Sequence, residues 1–581
     1  MNDREVVIRV SGAAGDGVQS AGQIIAKSFS RKGMNVVTYN YYQDIVRGGT
    51  SWYQIRASSD PVRSQGDGLD IVIALNKDGV QRHTNPDIDE GGASPLSKEG
   101  IVIFDKSIQG YEEHGQRYVP MPLSDIAMKY SNNALMRNTV AIGAAMASIN
   151  LDFETLAGVI GDQFGSKGKI ADLNVNAAKE GYDYFKKNQE PLKKNLSFGT
   201  KPKYLVGGGD AIGLGFVSGG MKFYAGYPMT PASSALMYFA NHASKFDIVL
   251  KIPEDEISAI NMAIGANYAG VRSATGSSGG GFSLMVEAVG LAGMLEVPLV
   301  IYEAQRPGPS TGLPTKTEQG DLNLVLGAGQ GDFPRIVLAP RNVKECFELG
   351  REAMNLAARY QTPVFVMVDL YLSEHYETVD SFDLDFKIDE GKIAGDNQEN
   401  FRRYEDTEDG ISPRAFPGQP GLMHNEDSDE HNEFGQVVSD AVTDPRERIK
   451  AMNKRMRKME TYRKNMPPTY TYKFSDAEYA VVQWGSTAGV VEEAVDILRN
   501  KGIRVGAIEV THVFPLNHDI GDLVRGKKKI IVVENNYGGQ FDRLLRSELL
   551  VRTEPVRKYD GESFYPGQLA EEIEVVIRGG K

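Results

Sequence analysis

The chain has 581 residues, 41% of them apolar, enough for about three to four domains of ordinary size. Its net charge of −13 is spread rather than blocked, which argues against a nucleic-acid partner and mildly against an acidic electron carrier docking on this chain. The single cysteine, Cys346, permits neither a disulfide nor a cysteine-ligated iron–sulfur cluster within the polypeptide. No apolar run approaches ~20 residues and Met1 to Glu5 lacks a signal-peptide shape, so a cytoplasmic protein with no membrane segment is expected.

Glu5 to Val10 alternates as a strand, ends in Ser11-Gly12-Ala13-Ala14-Gly15-Asp16-Gly17, and gives way to a helix from Val18 to Arg31. Strand, glycine loop and helix together resemble a nucleotide cradle, although Gly12-x-x-Gly15-x-Gly17 is not the dinucleotide fingerprint. Further strands are expected at Asn35 to Tyr39, Leu69 to Leu75 and Ile101 to Phe104. Arg47-Gly48-Gly49-Thr50 reads as a basic turn, with Arg47 either a ligand contact or a solvated loop arginine. Repeated β-α units imply a doubly wound domain over 1–190, followed by a lysine-rich, proline-bounded linker over 191–203.

The central segment, 204–385, predicts strands near Tyr204 to Val206, Phe223 to Ala225, Val249 to Ile252, Leu299 to Glu303 and Val364 to Val368. In Gly226-Tyr227-Pro228-Met229-Thr230-Pro231 two prolines hold the backbone extended and present the Thr230 hydroxyl at the C-terminal edge of a sheet. Pro253 ends the next strand, and Glu254-Asp255-Glu256 opens a helix with Ile257, Ile260, Ile264 and Tyr268 on one stripe. The three acids are either simply favoured by the helix dipole, or Glu256 at the sheet edge has a task of its own. Ser277-Ser278-Gly279-Gly280-Gly281 suits close backbone approach by a cofactor ring, and Gln305-Arg306-Pro307-Gly308-Pro309-Ser310-Thr311-Gly312 closes the set.

From 386 to 470 periodicity fades and charge rises: an irregular charged insertion. His424, Asp429, Glu430 and His431 fit no compact metal spacing and are assigned a structural or interface role. Glu287 and Glu296 are read as structural. The basic residues of Ile449 to Lys464, among them Lys454, Arg455 and Lys458, are read as a solvated helix face, with contact to a phosphorylated ligand or a partner subunit as the lesser alternative. Over 471–581 a last α/β domain is expected, with strands Tyr479 to Trp484, Val505 to Val510 and Ile530 to Val533.

Taken in order, the Tyr-Pro-x-Thr-Pro loop, the helix-opening Glu256 with its Ile-Ser-Ala-Ile-Asn-Met-Ala-Ile-Gly-Ala sequel, the Ser-Ser-Gly-Gly-Gly helix start and Gln-Arg-x-Gly-Pro-Ser-Thr-Gly look like the α subunit of the 2-oxoacid:ferredoxin oxidoreductases. These are thiamine diphosphate enzymes, and the resemblance is nearest to the fused γ-α subunit of the 2-oxoglutarate:ferredoxin oxidoreductases, or 2-oxoglutarate synthases. It covers nearly the whole chain. It implies three doubly wound α/β domains: a γ domain, a thiamine pyrimidine-binding domain and a transketolase C-terminal-like domain.

The resemblance implies Glu256 against N1′ of the aminopyrimidine, with Tyr227, Pro228, Ser278 and Gly279 also at the cofactor. Arg306 and Thr230 would clamp the substrate's 1-carboxylate, a task that suits a planar guanidinium, and Thr315 would help select the substrate. Gly15, Gly17 and Arg47 would contact coenzyme A. Gly15-Asp16-Gly17 imitates the motif that holds magnesium-bound thiamine diphosphate, but its gap to Asn40 is too short; with Gly66-Asp67-Gly68 it reads as a turn.

No metal site is therefore expected here. The diphosphate and Mg2+ half of the cofactor site and the [4Fe-4S] cluster are expected on a β subunit, in an (αβ)2 heterotetramer that reduces ferredoxin. The expected reaction is reversible conversion of 2-oxoglutarate and coenzyme A to succinyl-CoA and CO2. Pyruvate or another 2-oxoacid is the alternative substrate, and a non-catalytic coenzyme A- or nucleotide-binding assembly subunit the alternative role.

Overall fold

A computed structural model describes residues 3–44, 48–85, 96–165, 168–438 and 444–580; Arg47 lies outside the described residues. The chain forms two units: Met1–Gly207 with Glu374–Ser381 and Tyr565–Gln568, and Gly208–Ser373 with Phe382–Phe564 and Leu569–Lys581. Among the described residues no helix is long and apolar enough to cross a membrane.

The first unit is built on an eight-stranded sheet in the order Arg117–Met121, Leu96–Asp105, Leu69–Ala74, Glu5–Ala14, Gly48–Ser58, Asn35–Tyr41, Tyr376–Val379, Tyr204–Gly207. The sheet is mixed, because Glu5–Ala14 runs parallel to Leu69–Ala74 but antiparallel to Gly48–Ser58. Only a turn was expected near Gly48; the alternation through Trp52, Gln54 and Arg56 is that of a long strand. Tyr204–Gly207, expected to begin the central domain, is instead an edge strand of this sheet, paired antiparallel with Tyr376–Val379.

Helices Met136–Ser148 and Lys169–Asn188 pack closely through glycines. A Cβ on Gly143 would strike the Ala178 carbonyl, and one on Gly181 the Val140 carbonyl, so any side chain there must push backbone apart. Gly143→Val is expected to lower unfolding free energy by about 1–3 kcal/mol, measured by urea denaturation.

The second unit carries a seven-stranded sheet in the order His512–Phe514, Ile336–Leu338, Pro363–Asp369, Leu299–Gln305, Ser273–Ser277, Phe223–Ala225, Val249–Lys251. All neighbours are parallel except the first pair, so the strands from Ile336–Leu338 to Val249–Lys251 end on one edge. A five-stranded sheet, Tyr470–Tyr472, Val505–Val510, Tyr479–Trp484, Lys529–Glu534, Glu554–Arg557, follows in the same unit. One apolar core runs between the two, from Phe282 and Phe365 to Trp484 and Phe541.

The charged insertion has little regular structure before helix Pro445–Lys464, and its anchorage reverses one expectation. Lys454, Arg455 and Lys458, assigned to a solvated face, are buried. Lys454 and Lys458 both pair with Glu296, and Arg455 with Glu430. The Arg403 guanidinium donates to the carbonyls of Leu295 and Glu296, while its Nε donates to Glu426. Charges emerge as interior here because each meets an opposite one, information that periodicity does not carry.

Burial alone would raise the Glu296 pKa, but Lys454, Lys458 and Arg403 outweigh it and hold the carboxyl well below its usual range. The stabilisation from this carboxylate is thus full above the ordinary glutamate value and drains away below it, as pH falls toward the depressed folded-state value. Glu296→Ala leaves two ammonium groups buried without their anion, and a loss of about 3–5 kcal/mol is expected in denaturant titration. Glu296→Gln should flatten the acid limb of the stability–pH curve.

Candidate active site

Four of the parallel strands deliver the polar residues singled out by sequence to one edge. Phe223–Ala225 leads to the Tyr227–Pro231 loop, Val249–Lys251 to Glu256, Ser273–Ser277 to the Gly279–Leu295 helix, and Leu299–Gln305 to Arg306. The ends of parallel strands are where open α/β sheets place their ligand sites.

The three consecutive acids have separate tasks. Asp255 is the N-cap, its carboxylate accepting from the Ser258 amide at 2.7 Å, and the exposed Glu254 accepts from the Ser258 hydroxyl at 2.8 Å. Glu256, the first helical residue, turns inward, is only 4% exposed, and its Oε1 has no hydrogen-bond donor. A Cβ on Gly281 would collide with this oxygen and with Ser277 Oγ, so the carboxylate lies directly on the glycine backbone at the start of the next helix. The buried face of the Glu256–Tyr268 helix is Ala259, Ile260, Ala263 and Ile264; Ile257 and Tyr268, expected on that stripe, are exposed.

Ser277 Oγ also donates to Met229 Sδ at 3.8 Å, tying the proline loop to this corner. Beside it, Arg306 Nη1 donates to the Thr230 carbonyl at 2.7 Å, so Thr230 meets the guanidinium through its backbone. Tyr227 and Pro228 are exposed, Ser278 and Gly279 buried, and Ser278 Oγ has no partner. Thr315 is half-buried on a segment held by Gln319. The Gln319 side chain donates to the Trp484 carbonyl at 2.7 Å and accepts from the Asn535 amide at 2.9 Å, while its carbonyl accepts from Asn536 Nδ2 at 3.0 Å.

Glu303, Glu318 and Asp321 escaped the sequence reading. Glu303 is fully buried, and neither carboxyl oxygen finds a donor. Burial first, and Asp321 second, push its pKa well above the usual range. Asp321 is raised to about 6 by burial, with Glu303 and Arg306 opposing, and Glu318 to about 7 by burial and by Asp321. A charged residue inside Leu-Val-Ile-Tyr-Glu-Ala-Gln was a readable signal for Glu303; Glu318 and Asp321 looked like ordinary loop acids.

In the first unit the glycine loop opens at Gly15, and Gly17 takes φ 76°, a left-handed conformation, as the helix N-cap. Asp16 Oδ2 accepts from the Ala13 amide at 2.9 Å and its carbonyl from Asn138 Nδ2 at 2.6 Å, so an anion approaching here must share the loop with a carboxylate. Among the described residues no group of three or more His, Cys, Asp or Glu is arranged to hold a metal. His424 and Glu430 instead enter ion pairs with Glu426 and with Arg448 and Arg455.

Comparison with known proteins bears on this geometry. Residues 215–452 match the family model described as pyruvate flavodoxin/ferredoxin oxidoreductase, thiamine diP-bdg, which spans the whole strand-end cluster. Residues 7–184 match pyruvate ferredoxin/flavodoxin oxidoreductase, and 477–577 the pyruvate:ferredoxin oxidoreductase core domain II. A 2-oxoacid:ferredoxin oxidoreductase subunit alpha from Sulfolobus sp is 31% identical over 98% of this chain and 97% of its own length. The chain belongs to the 2-oxoacid:ferredoxin oxidoreductase α subunits.

Other members of this α-subunit family align at similar distance: that from Saccharolobus solfataricus is 32% identical over 98% of both chains. The 2-oxoglutarate oxidoreductase subunit KorA of Mycobacterium tuberculosis is 29% identical over 99% of this chain and 92% of its own. A solved 2-oxoglutarate:ferredoxin oxidoreductase from Magnetococcus marinus, with 2-oxoglutarate, coenzyme A and succinyl-CoA bound, superposes with a TM-score of 0.91. It is 34% identical, covering 98% of this chain and 99% of that one.

A thiamine group fits the residues present: the orphaned Glu256 oxygen lacks a donor that a protonated ring nitrogen provides, and glycine keeps the adjoining helix start free of side chains. Gly281→Ala should leave the chain folded but displace the Glu256 carboxylate. A fall in turnover of about a hundredfold is expected, with circular dichroism unchanged.

Proposed function

We propose that this α subunit, with a β subunit, oxidatively decarboxylates 2-oxoglutarate to succinyl-CoA and CO2 while reducing ferredoxin, and runs the CO2-fixing reverse under reducing conditions. The observation that carries the substrate assignment is the end-to-end likeness to the Magnetococcus marinus enzyme and its bound 2-oxoglutarate, coenzyme A and succinyl-CoA. KorA relatives, named as subunits of 2-oxoglutarate oxidoreductase and of 2-oxoglutarate synthase, point the same way.

When bound, thiamine diphosphate supplies the carbon nucleophile and electron sink for loss of CO2. Glu256 holds a proton at N1′ of its aminopyrimidine, a burial-strengthened hydrogen bond to a carboxylate that has no competing donor at Oε1. Tyr227, Pro228, Ser278 and Gly279 frame the ring. Arg306, steadied by the Thr230 carbonyl, grips the oxoacid carboxylate, and Thr315 bears on substrate choice. Coenzyme A would reach Gly15, Gly17 and Arg47.

The diphosphate, its Mg2+ and the [4Fe-4S] cluster belong to the β subunit in this reading, since one cysteine, buried Cys346, cannot ligate a cluster. Exposed apolar side chains on the segments framing Glu256, among them Ile252, Ile257 and Leu284, offer that subunit a surface. We place the resulting (αβ)2 assembly in the cytoplasm.

Turnover of a panel of 2-oxoacids by the reconstituted complex tests the substrate: 2-oxoglutarate should lead in kcat/KM, and a lead by pyruvate or a branched-chain oxoacid would sink the assignment. Arg306→Gln should cost about 2–4 kcal/mol in transition-state binding. Retention of near-normal turnover by Glu256→Ala would favour a non-catalytic assembly role.

A further inference from the structure

Close to Arg306, on its own strand and on the segment bonded to Gln305, are two carboxyl groups that the proposed reaction does not use. Glu303 stands on the central strand Leu299–Gln305, in register with Ser277 on one side and Met367 on the other, with no solvent exposure. Neither of its oxygens receives a hydrogen bond from an N–H or O–H donor, nor does Asp321 Oδ2. Ser277, the register partner of Glu303, lies two residues before Gly279, on which the Asp321 carboxylate rests, so the two carboxyl groups share one corner of the site.

Asp321 is fixed from two directions. Its amide donates to Gln305 Oε1 at 3.1 Å, and Gln305 Nε2 in turn donates to the Val368 carbonyl at 3.3 Å. Its carboxylate rests on Gly279, where a Cβ would overlap it, at the positive end of the Gly279–Leu295 helix. The charged groups facing it are Glu303 from the strand, Glu318 from its own loop and Arg306 from the strand end. Two buried carboxyl groups in contact cannot both be ionised; one proton must be shared, and the fully enclosed Glu303 is its natural holder.

We propose that Glu303 is a carboxylic acid that remains protonated and donates its hydrogen to the Asp321 carboxylate, and that this pair positions the Arg306 guanidinium for the oxoacid. Glu303 and Asp321 are positioning residues: neither touches substrate. The inference rests on the reading of Arg306 as the carboxylate clamp. Asp321, tied through its amide to the adjoining Gln305, attracts the Arg306 guanidinium through space without cancelling its field toward the substrate, since one of the two acids is neutral.

In the reconstituted complex, E303A and D321N should each raise KM for the 2-oxoacid about tenfold, with a smaller change in kcat and none in KM for coenzyme A. E303Q, whose amide N–H stands in for the acid O–H, should rescue most of what E303A loses. Infrared spectra should contain a protonated-carboxyl band that E303Q removes. The oxoacid KM of the unsubstituted complex should climb as pH falls through about 6, where Asp321 takes up its own proton, and D321N should flatten that slope. E303Q as damaging as E303A, or no infrared band lost in E303Q, overturns the proposal. R306Q with unchanged oxoacid KM removes the clamp and with it the positioning role, whereas loss of the pair alone leaves the R306Q defect in place, so the two failures differ.

Discussion

Everything at the candidate site turns on a carboxylate buried without a donor. Glu256 can keep an unsatisfied oxygen inside the fold because the helix it opens, the Asp255 cap and the glycine backbone of the neighbouring helix leave it nowhere else to go. An orphaned buried acceptor costs about 1–3 kcal/mol, a strain tolerated where a ligand supplies the missing partner. The parallel sheet does the rest by bringing the proline loop, Glu256, the glycine helix and Arg306 to a common edge.

Much of this was legible in the sequence because each piece has a local cause. Proline spacing, acids at a helix start and a Ser/Gly run all act within a few residues, so their meaning survives without tertiary information. Helix Val18–Arg31 and strands Tyr479–Trp484 and Val505–Val510 were readable for the same reason. What escaped was decided by partners distant in the chain. Lys454 and Lys458 look like surface lysines until Glu296, more than a hundred residues earlier, is placed between them. Tyr204–Gly207 looked like the start of a domain because nothing local reveals its pairing with Tyr376–Val379.

The two buried charge systems of the second unit solve opposite problems. Around Glu296, cations outnumber the anion, and burial draws Lys454 down to about 7 even with the Glu296 attraction opposing it. Around Glu303, acids outnumber the cation, and burial drives protons on. The first fastens an irregular insertion whose own apolar cluster is as small as Ala394, Ala415 and Leu422. The second adjoins the strand end that carries Arg306.

Gln319 shows how strongly the segment beyond Arg306 depends on the far end of the polypeptide. Its contacts run to Trp484, Asn535 and Asn536, and the nearby Lys316 pairs with Glu562 at 2.5 Å. A version of this enzyme encoded as two polypeptides, divided in the stretch between Lys464 and Tyr470, would therefore shape the segment from Arg306 to Gln319 only after the halves had associated. Gene fission at that point would turn a matter of folding into one of assembly.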